Sequence, residues 1–184
     1  MKKIFITNGS ATNGKDTFAK MMGDYISTYK YSSIDLVKDM LEFAGIPKKP
    51  KTEGKRLLYS DTKDGLTKYD DIPFKDITSI VADFKNNKIE SEVLLIDIRE
   101  PEEISRAVKT FGAETILVRN PNAIKIESNH ADRDVENYEY DYIIENDGTL
   151  EQLERVAKLF ICDVICGEHI PEKDKPFTWT CSKY

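Results

Sequence analysis

A glycine-rich stretch near the start of the chain has the composition and spacing of a phosphate-binding loop. Residues 9–15 read Gly-Ser-Ala-Thr-Asn-Gly-Lys, which matches the pattern G-x-x-x-x-G-K. Gly9 and Gly14 permit a curled backbone whose successive N–H groups point at phosphate oxygens, and Asn13 lies within that curl. Lys15 supplies a positive charge for the β- and γ-phosphates of a nucleotide.

The residue after this lysine departs from the usual pattern. Most such loops carry Ser or Thr there, whose hydroxyl binds Mg²⁺, whereas this chain has Asp16 followed by Thr17. A carboxylate is a hard oxygen ligand, which Mg²⁺ prefers. We therefore expect Asp16 to bind Mg²⁺, directly or through water, and Thr17 to belong to the same nucleotide site.

A second carboxylate stands near the end of a continuous apolar run. Residues 93–98 read VLLIDI, which is typical of a central parallel strand buried on both faces. Open α/β sheets bind ligands beyond the carboxyl ends of their strands, so Asp97 is expected beside the phosphate loop. There it would hold Mg²⁺ directly or through water, although a lone aspartate at a strand end also forms turns.

Short apolar runs alternate with amphipathic stretches along the chain, which predicts β-α-β units around a parallel sheet. The runs predict strands at Lys3–Thr7, Tyr29–Ser33, Val93–Ile98, Thr115–Val118 and Tyr142–Glu145. Helical spacing predicts helices after Lys15, over residues 34–44, 55–68 and 74–86, from Pro101 to Gly112, and from Thr149 to Ile161. The fold class is therefore α/β, with the phosphate loop joining the first strand to the first helix.

Length, charge and cysteine content exclude several broad classes of protein. The chain has 184 residues, which fits one domain, and a net charge of −6 without a dense Lys/Arg run, so nucleic acid is not an expected partner. No stretch approaches the roughly 18–20 apolar residues that span a bilayer. Three cysteines in a chain of this size indicate a reducing, cytoplasmic setting.

The phosphate loop and several later stretches resemble phage-type deoxynucleoside monophosphate kinases. The sequence GKDT at residues 14–17 is similar to their phosphate loop, and animal-type phosphomevalonate kinases share its Gly-Lys-Asp feature. The sequence DIR at 97–99 resembles the Asp-x-Arg strand end of the family. Residues 142–149, YIIENDGT, resemble its last strand and Asn-Asp-Gly turn, and His130 resembles its lid exit. The resemblance covers residues 1–20 and 93–160 and is loose over 45–90.

This resemblance implies a three-layer P-loop NTPase fold of the nucleoside monophosphate kinase type, with a five-stranded parallel sheet. It implies one kinase domain over residues 1–184. Within it, residues 35–90 form a helical region that binds the phosphate acceptor, and 119–140 form a lid over the phosphates. Residues 166–184 are a C-terminal tail whose packing, on the body or on a partner subunit, stays open.

The resemblance also implies roles for individual residues. Arg99 would contact phosphate or acceptor, and Arg119 and Arg133 would close over the transferring group. Asn146 and Gly148 would lie near the adenine of ATP.

Further candidates for binding the substrate lie in the acceptor region and at the strand end. Arg56 would clamp the acceptor phosphate through its guanidinium, and Lys63 lies two helical turns further on. Asp97 and Arg99 complete this candidate substrate site. Most charged helix residues are solvated, so a surface position is the alternative for Arg56.

These observations favour an ATP- and Mg²⁺-dependent phosphotransferase that converts a (deoxy)nucleoside monophosphate to the diphosphate. The loose match over residues 45–90 leaves open another phosphorylated metabolite as acceptor, such as phosphomevalonate or dephospho-coenzyme A. A non-catalytic nucleotide-binding regulatory module is a third possibility, although the Asn-Lys-x-Asp motif of guanine-binding switches is missing from the sequence. The sequence leaves monomer and homodimer equally open.

Overall fold

A computed structural model of the chain describes residues 2–10, 12–50, 52–123, 135, 137–168, 170, 171, 178 and 179. The chain divides into two compact units. The first, which we call the sheet unit, comprises Met1–Lys30 and Glu90–Tyr184, and the second, the helical unit, comprises Tyr31–Ile89. The helical unit nearly coincides with residues 35–90, the region for which the resemblance implies acceptor binding.

The elements follow the alternation that the sequence predicts. The strands are β1 (Lys3–Asn8), β2 (Thr28–Ser32), β3 (Val93–Asp97), β4 (Glu114–Arg119), β5 (Tyr142–Glu145) and β6 (Thr178–Trp179). The helices are α1 (Lys15–Gly23), α2 (Asp35–Phe43), α3 (Glu53–Asp70), α4 (Ile72–Lys85), α5 (Pro101–Phe111) and α6 (Leu150–Phe160). A π-helical segment, Ile161–Ile165, continues α6.

The sheet has the strand order β2-β3-β1-β4-β5-β6. Its first five strands are parallel, so the predicted five-stranded parallel sheet is confirmed. The two-residue strand β6 runs antiparallel to β5 at the edge of the sheet. The register places Thr7 of β1 beside Asp97 of β3, at the carboxyl ends of both strands.

The two central strands are buried on both faces, as the unbroken apolar run of β3 predicts. Phe5 of β1 belongs to the cluster that α1 and α6 cover, while Ile4 and Ile6, whose side chains alternate to the other face, are also buried. In that cluster the Phe160 ring of α6 meets the rings of Phe5 and Tyr142 edge-on, with centroids 5.6 and 5.1 Å apart. This packing holds β1 and β5 against α6.

Two helix boundaries lie where local signals place them. Helix α5 begins at Pro101 and ends before Gly112, which adopts the left-handed conformation at φ 69°. Helix α6 begins with a capping box, in which Thr149 and Gln152 exchange side-chain and backbone hydrogen bonds. Both predicted boundaries are confirmed.

The helical unit is built from α2, α3 and α4, and α3 packs against both of the others. Helices α3 and α4 extend two residues beyond the predicted starts, and Asp71 at φ 51° separates them. Their buried side chains include Tyr59 of α3 and Phe74, Ile77 and Phe84 of α4.

Some predictions lie outside the described residues. These are most of the lid-like segment 119–140, with His130 and Arg133, and most of the tail 166–184. Among the residues that are described, no helix is both long and apolar enough to cross a membrane.

Candidate phosphate-binding site

The glycine-rich loop connects β1 to α1 and delivers the start of that helix to the carboxyl edge of the sheet. Gly14 is the N-cap residue of α1 and has φ 89°, in the left-handed region that favours glycine. Gly14 has no side chain with which to cap α1, and the N–H groups of a helix's first turn have no partner within the helix, so they can bind an anion. The geometry is that of a phosphate-binding loop and helix, as the motif predicts.

Close packing against β4 and the turn after β5 holds the loop in place. A Cβ atom at Gly9 would lie 2.6 Å from the Val118 carbonyl oxygen. The buried Asn13 side chain donates to that same oxygen at 3.4 Å, and Asn146 donates from Nδ2 to the Asn13 carbonyl at 3.0 Å. Contact with the backbone therefore requires glycine at position 9. At position 14 the left-handed backbone favours glycine, and a Cβ there would also displace the Asn146 amide.

We expect Gly14→Ala to weaken ATP binding at least about tenfold, because displaced loop N–H groups lose hydrogen bonds to phosphate. Gly112→Ala is the matched control: Gly112 shares the left-handed conformation, but nothing lies within 4 Å of the added Cβ. The control should cost about 1–2 kcal/mol of stability and leave ATP binding unchanged. Calorimetric titration and thermal melting measure both effects, and equal ATP affinity in the two variants would contradict the loop geometry.

Four charged side chains converge beside the loop: Lys15, Asp16, Lys30 and Asp97. Lys15 forms an ion pair with Asp97 and lies 3.3 Å, Nζ to Oδ1, from Asp16. Lys30, from β2, forms an ion pair with Asp16 and lies 2.9 Å, Nζ to Oδ2, from Asp97. Two positive and two negative charges therefore share one site, which contains both predicted metal-binding carboxylates.

These ion pairs shift the pKa values of Asp16 and Lys30. Partial burial opposes ionisation of Asp16, but the charge of Lys15 and the hydrogen bond from Lys30 outweigh it and hold the pKa of Asp16 well below its usual range. Burial alone would lower the pKa of Lys30. The charge of Asp97 and the hydrogen bonds to both carboxylates outweigh burial, so the pKa of Lys30 lies above its ordinary value. Asp16 and Lys30 thus stay charged across the neutral range.

The orientation of Asp97 follows from the strand register. Thr7 is its neighbour on β1, and the Thr7 hydroxyl donates to Oδ1 of Asp97. Oδ2 is left to face the two lysines. The Asp97 side chain is only 13% exposed, so its second oxygen has a fixed direction toward the loop.

The carboxylates fit Mg²⁺. Oδ1 of Asp16 and Oδ2 of Asp97 both contact the Lys15 ammonium, so one cation already lies between them. The candidate site offers only these two carboxylates, and over the described ranges no larger group of His, Cys, Asp or Glu side chains could hold a metal ion. Two carboxylates suit Mg²⁺, which keeps several waters and takes its other ligands from phosphates.

A buried network ties the base of the loop to the chain that enters β5. Asn8, fully buried, donates from Nδ2 to the Arg99 carbonyl at 3.1 Å and to the Tyr140 hydroxyl at 2.7 Å. The Tyr140 hydroxyl in turn donates to the Val135 carbonyl at 2.7 Å. This network anchors the end of the lid-like segment to the loop.

The remaining predicted arginines lie in different places. Arg99 follows β3 and is half-buried at the same sheet edge as Asp97. Arg119 ends β4, and its guanidinium pairs with the Glu145 carboxylate at the end of β5, with Nε 3.1 Å from Oε1. Arg133 lies outside the described residues.

The two candidates for acceptor binding belong to the helical unit. Arg56 lies in the first turn of α3 and is half-buried. Lys63, on the same helix, is only 7% exposed, which is unusual for a lysine. Their roles, like those of Thr17 and Gly148, stay predictions.

Reasoning from the sequence missed three residues of this site: Thr7, Asn8 and Lys30. Thr7 and Asn8 end β1 directly before the loop. Polar residues at the end of an apolar strand, next to a phosphate-binding motif, could have marked them as residues of the site. Lys30 carries no such signal, because nothing in the local sequence shows that its strand neighbours β3.

Comparison with known proteins shows the fold. No protein-family model and no curated protein matches the sequence. Shikimate kinase from Aquifex aeolicus superposes with a TM-score of 0.54 at 12% identity, covering 89% of this chain and 99% of that chain. A sugar kinase from Janibacter sp. HTCC2649 gives a TM-score of 0.46 at 10% identity, covering 92% of this chain and 100% of that chain. The first likeness shows that the chain shares the fold of that protein.

Proposed function

We propose that the protein is an ATP- and Mg²⁺-dependent phosphotransferase acting on a small phosphorylated acceptor. The observation that carries this proposal is the convergence of Lys15, Asp16 and Asp97 at a glycine-rich loop. A loop that only bound an anion would need Lys15 and the backbone N–H groups, but not two carboxylates. Paired carboxylates beside a phosphate site indicate that a metal-bound nucleotide is held there.

The residues of the site supply positioning and charge. The loop N–H groups and the start of α1 bind the β- and γ-phosphates, and Lys15 neutralises charge on the transferring oxygens. Asp16 and Asp97 would hold Mg²⁺, which when bound cancels further phosphate charge. Thr7 keeps the Asp97 carboxylate oriented. Arg99 and Arg119, at the same sheet edge, are proposed to contact the transferring group.

We further propose a (deoxy)nucleoside monophosphate as the acceptor. Its nucleophile is a phosphate oxygen that is already anionic, so no general base is needed. The resemblance of the loop, the strand end at 97–99 and the turn at 146–148 to deoxynucleoside monophosphate kinases supports this choice. The helical unit, with Arg56 and Lys63, is the proposed acceptor-binding region.

ADP formation from Mg·ATP, measured against every ribo- and deoxyribonucleoside monophosphate, tests the proposal. We expect ADP production that depends on one or a few of these acceptors. ADP production that depends instead on another phosphorylated metabolite would support the phosphotransferase activity but show that the acceptor is not a nucleoside monophosphate. ATP binding without any acceptor-dependent ADP would leave a nucleotide-binding regulatory module as the better account.

A further inference from the structure

We propose that Lys30 is a second phosphate-binding cation: it pairs with Asp16 and Asp97 in the structure and exchanges these partners for phosphate oxygens when Mg·ATP binds. The inference rests on the proposed function and assigns a residue to the same site. Lys30 lies on β2, outside the phosphate-loop motif.

The starting observation is that the two lysines share the same carboxylate oxygens. Oδ2 of Asp97 accepts from Lys15 and from Lys30, the latter at 2.9 Å. Oδ1 of Asp16 accepts from the same two lysines, from Lys15 at 3.3 Å. The other Asp97 oxygen accepts from the Thr7 hydroxyl.

Asp16 and Asp97 would hold Mg²⁺ through the same oxygens that these ammonium groups contact. A cation bound there would lie a few ångströms from two ammoniums, and like charges at that distance repel strongly. At least one ammonium must therefore withdraw when the carboxylates bind the metal.

Lys30 is the lysine placed to withdraw. The Lys15 side chain is 14% exposed and begins at the first residue of α1, directly behind the loop. The Lys30 side chain is 34% exposed and begins on a neighbouring strand, so its ammonium has room to move. Because its stem stays anchored on β2, the displaced ammonium remains at this edge of the sheet, where the phosphates arrive.

The charge of the filled site favours the same conclusion. The four side chains are formally neutral together, with two lysines and two aspartates. Mg·ATP and a phosphorylated acceptor both add negative charge to this point. A second cation beside Lys15 offsets part of that charge, which stabilises the transferring phosphoryl group.

A purely structural role for Lys30, joining β2 to α1 and β3, is the competing account, and the variant Lys30→Gln separates the two. If Lys30 binds phosphate once the metal occupies its carboxylate partners, Lys30→Gln should weaken binding of Mg·ATP about 10- to 100-fold, the effect of one charge-assisted hydrogen bond. Without nucleotide, the same variant should bind Mn²⁺ more tightly, because fewer ammoniums compete for Asp16 and Asp97. Calorimetry measures the first effect and electron paramagnetic resonance of free Mn²⁺ the second.

Lys3→Gln is the matched control. Lys3 is a partly exposed lysine of β1 whose ammonium lies 3.1 Å from Glu114, at the opposite end of the strand from the loop. It should leave both affinities unchanged. Lys30→Met, which keeps the apolar stem, repeats the test should Lys30→Gln fold poorly in thermal melting.

These binding measurements test the role of Lys30 separately from whether the protein phosphorylates an acceptor. Weaker Mg·ATP binding together with tighter Mn²⁺ binding supports the role of Lys30, even if no acceptor is ever phosphorylated. A lower melting temperature with unchanged Mg·ATP and Mn²⁺ affinities overturns it, even if the wild-type protein is an active kinase.

Discussion

Lys15→Ala is expected to abolish phosphoryl transfer while leaving the fold intact. The lysine neutralises charge that grows on the transferring oxygens, and removing one such preorganised group from an active site costs about 10²–10³ in kcat. The fold should survive because Asp97 keeps an ion pair with Lys30 and a hydrogen bond from Thr7. We therefore expect the free energy of unfolding to change by no more than about 1 kcal/mol.

Steady-state kinetics and chemical denaturation measure both quantities on the same preparation. Lys3→Ala removes a lysine from the amino end of β1, opposite the loop, and serves as the control for a lost ion pair. Full activity in Lys15→Ala would show that the loop is not the nucleotide site.

Asp97→Asn is expected to separate metal-dependent from metal-independent ATP binding. The substitution keeps the shape and the Thr7 hydrogen bond but removes the negative charge, so Mg²⁺ should no longer strengthen ATP binding. Metal-free ATP should bind as tightly as before or more tightly, because Lys15 and Lys30 lose a competing carboxylate. We expect kcat with Mg·ATP to fall by about 10²-fold or more.

Calorimetric titration of ATP with and without Mg²⁺ shows this separation directly. Glu114→Gln, which removes the partner of Lys3 on β4, is the control for loss of one carboxylate from an ion pair. If Mg²⁺ strengthened ATP binding equally in the wild type and in Asp97→Asn, Asp97 would have no part in holding the metal.

The sequence predicts the parts of the fold that depend on local pattern. The apolar run of β3, the glycine that ends α5 and the capping box of α6 each lie within a few residues and need no tertiary information. The phosphate loop is predictable for the same reason, since its motif, its strand and its helix are contiguous.

The site beyond the loop depends on which strands become neighbours. Asp97 was predictable because a carboxylate at the end of a buried parallel strand lies at the ligand-binding edge of any such sheet. Lys30 was not, because its role follows from the placement of β2 next to β3. The hydrogen bond from Asn146 to the Asn13 carbonyl joins residues 133 positions apart in the chain, so it was not predictable from local sequence either.

The acceptor region shows a different limit. Arg56 and Lys63 were predicted to bind the acceptor from one helix, and the structure buries Lys63, which nothing in the sequence signalled. Helical spacing reveals which residues share a face, but burial of a lysine depends on the helices that pack around it.

The most direct test of the central claim follows the γ-phosphate of ATP. Wild-type protein is incubated with Mg²⁺, ATP labelled at the γ-phosphate and the pooled nucleoside monophosphates, and the products are separated. We predict that the label moves into a nucleoside diphosphate, and that Lys15→Ala eliminates this transfer. Label that stays in ATP, or that appears only as inorganic phosphate, would contradict the assignment of the protein as a nucleoside monophosphate kinase.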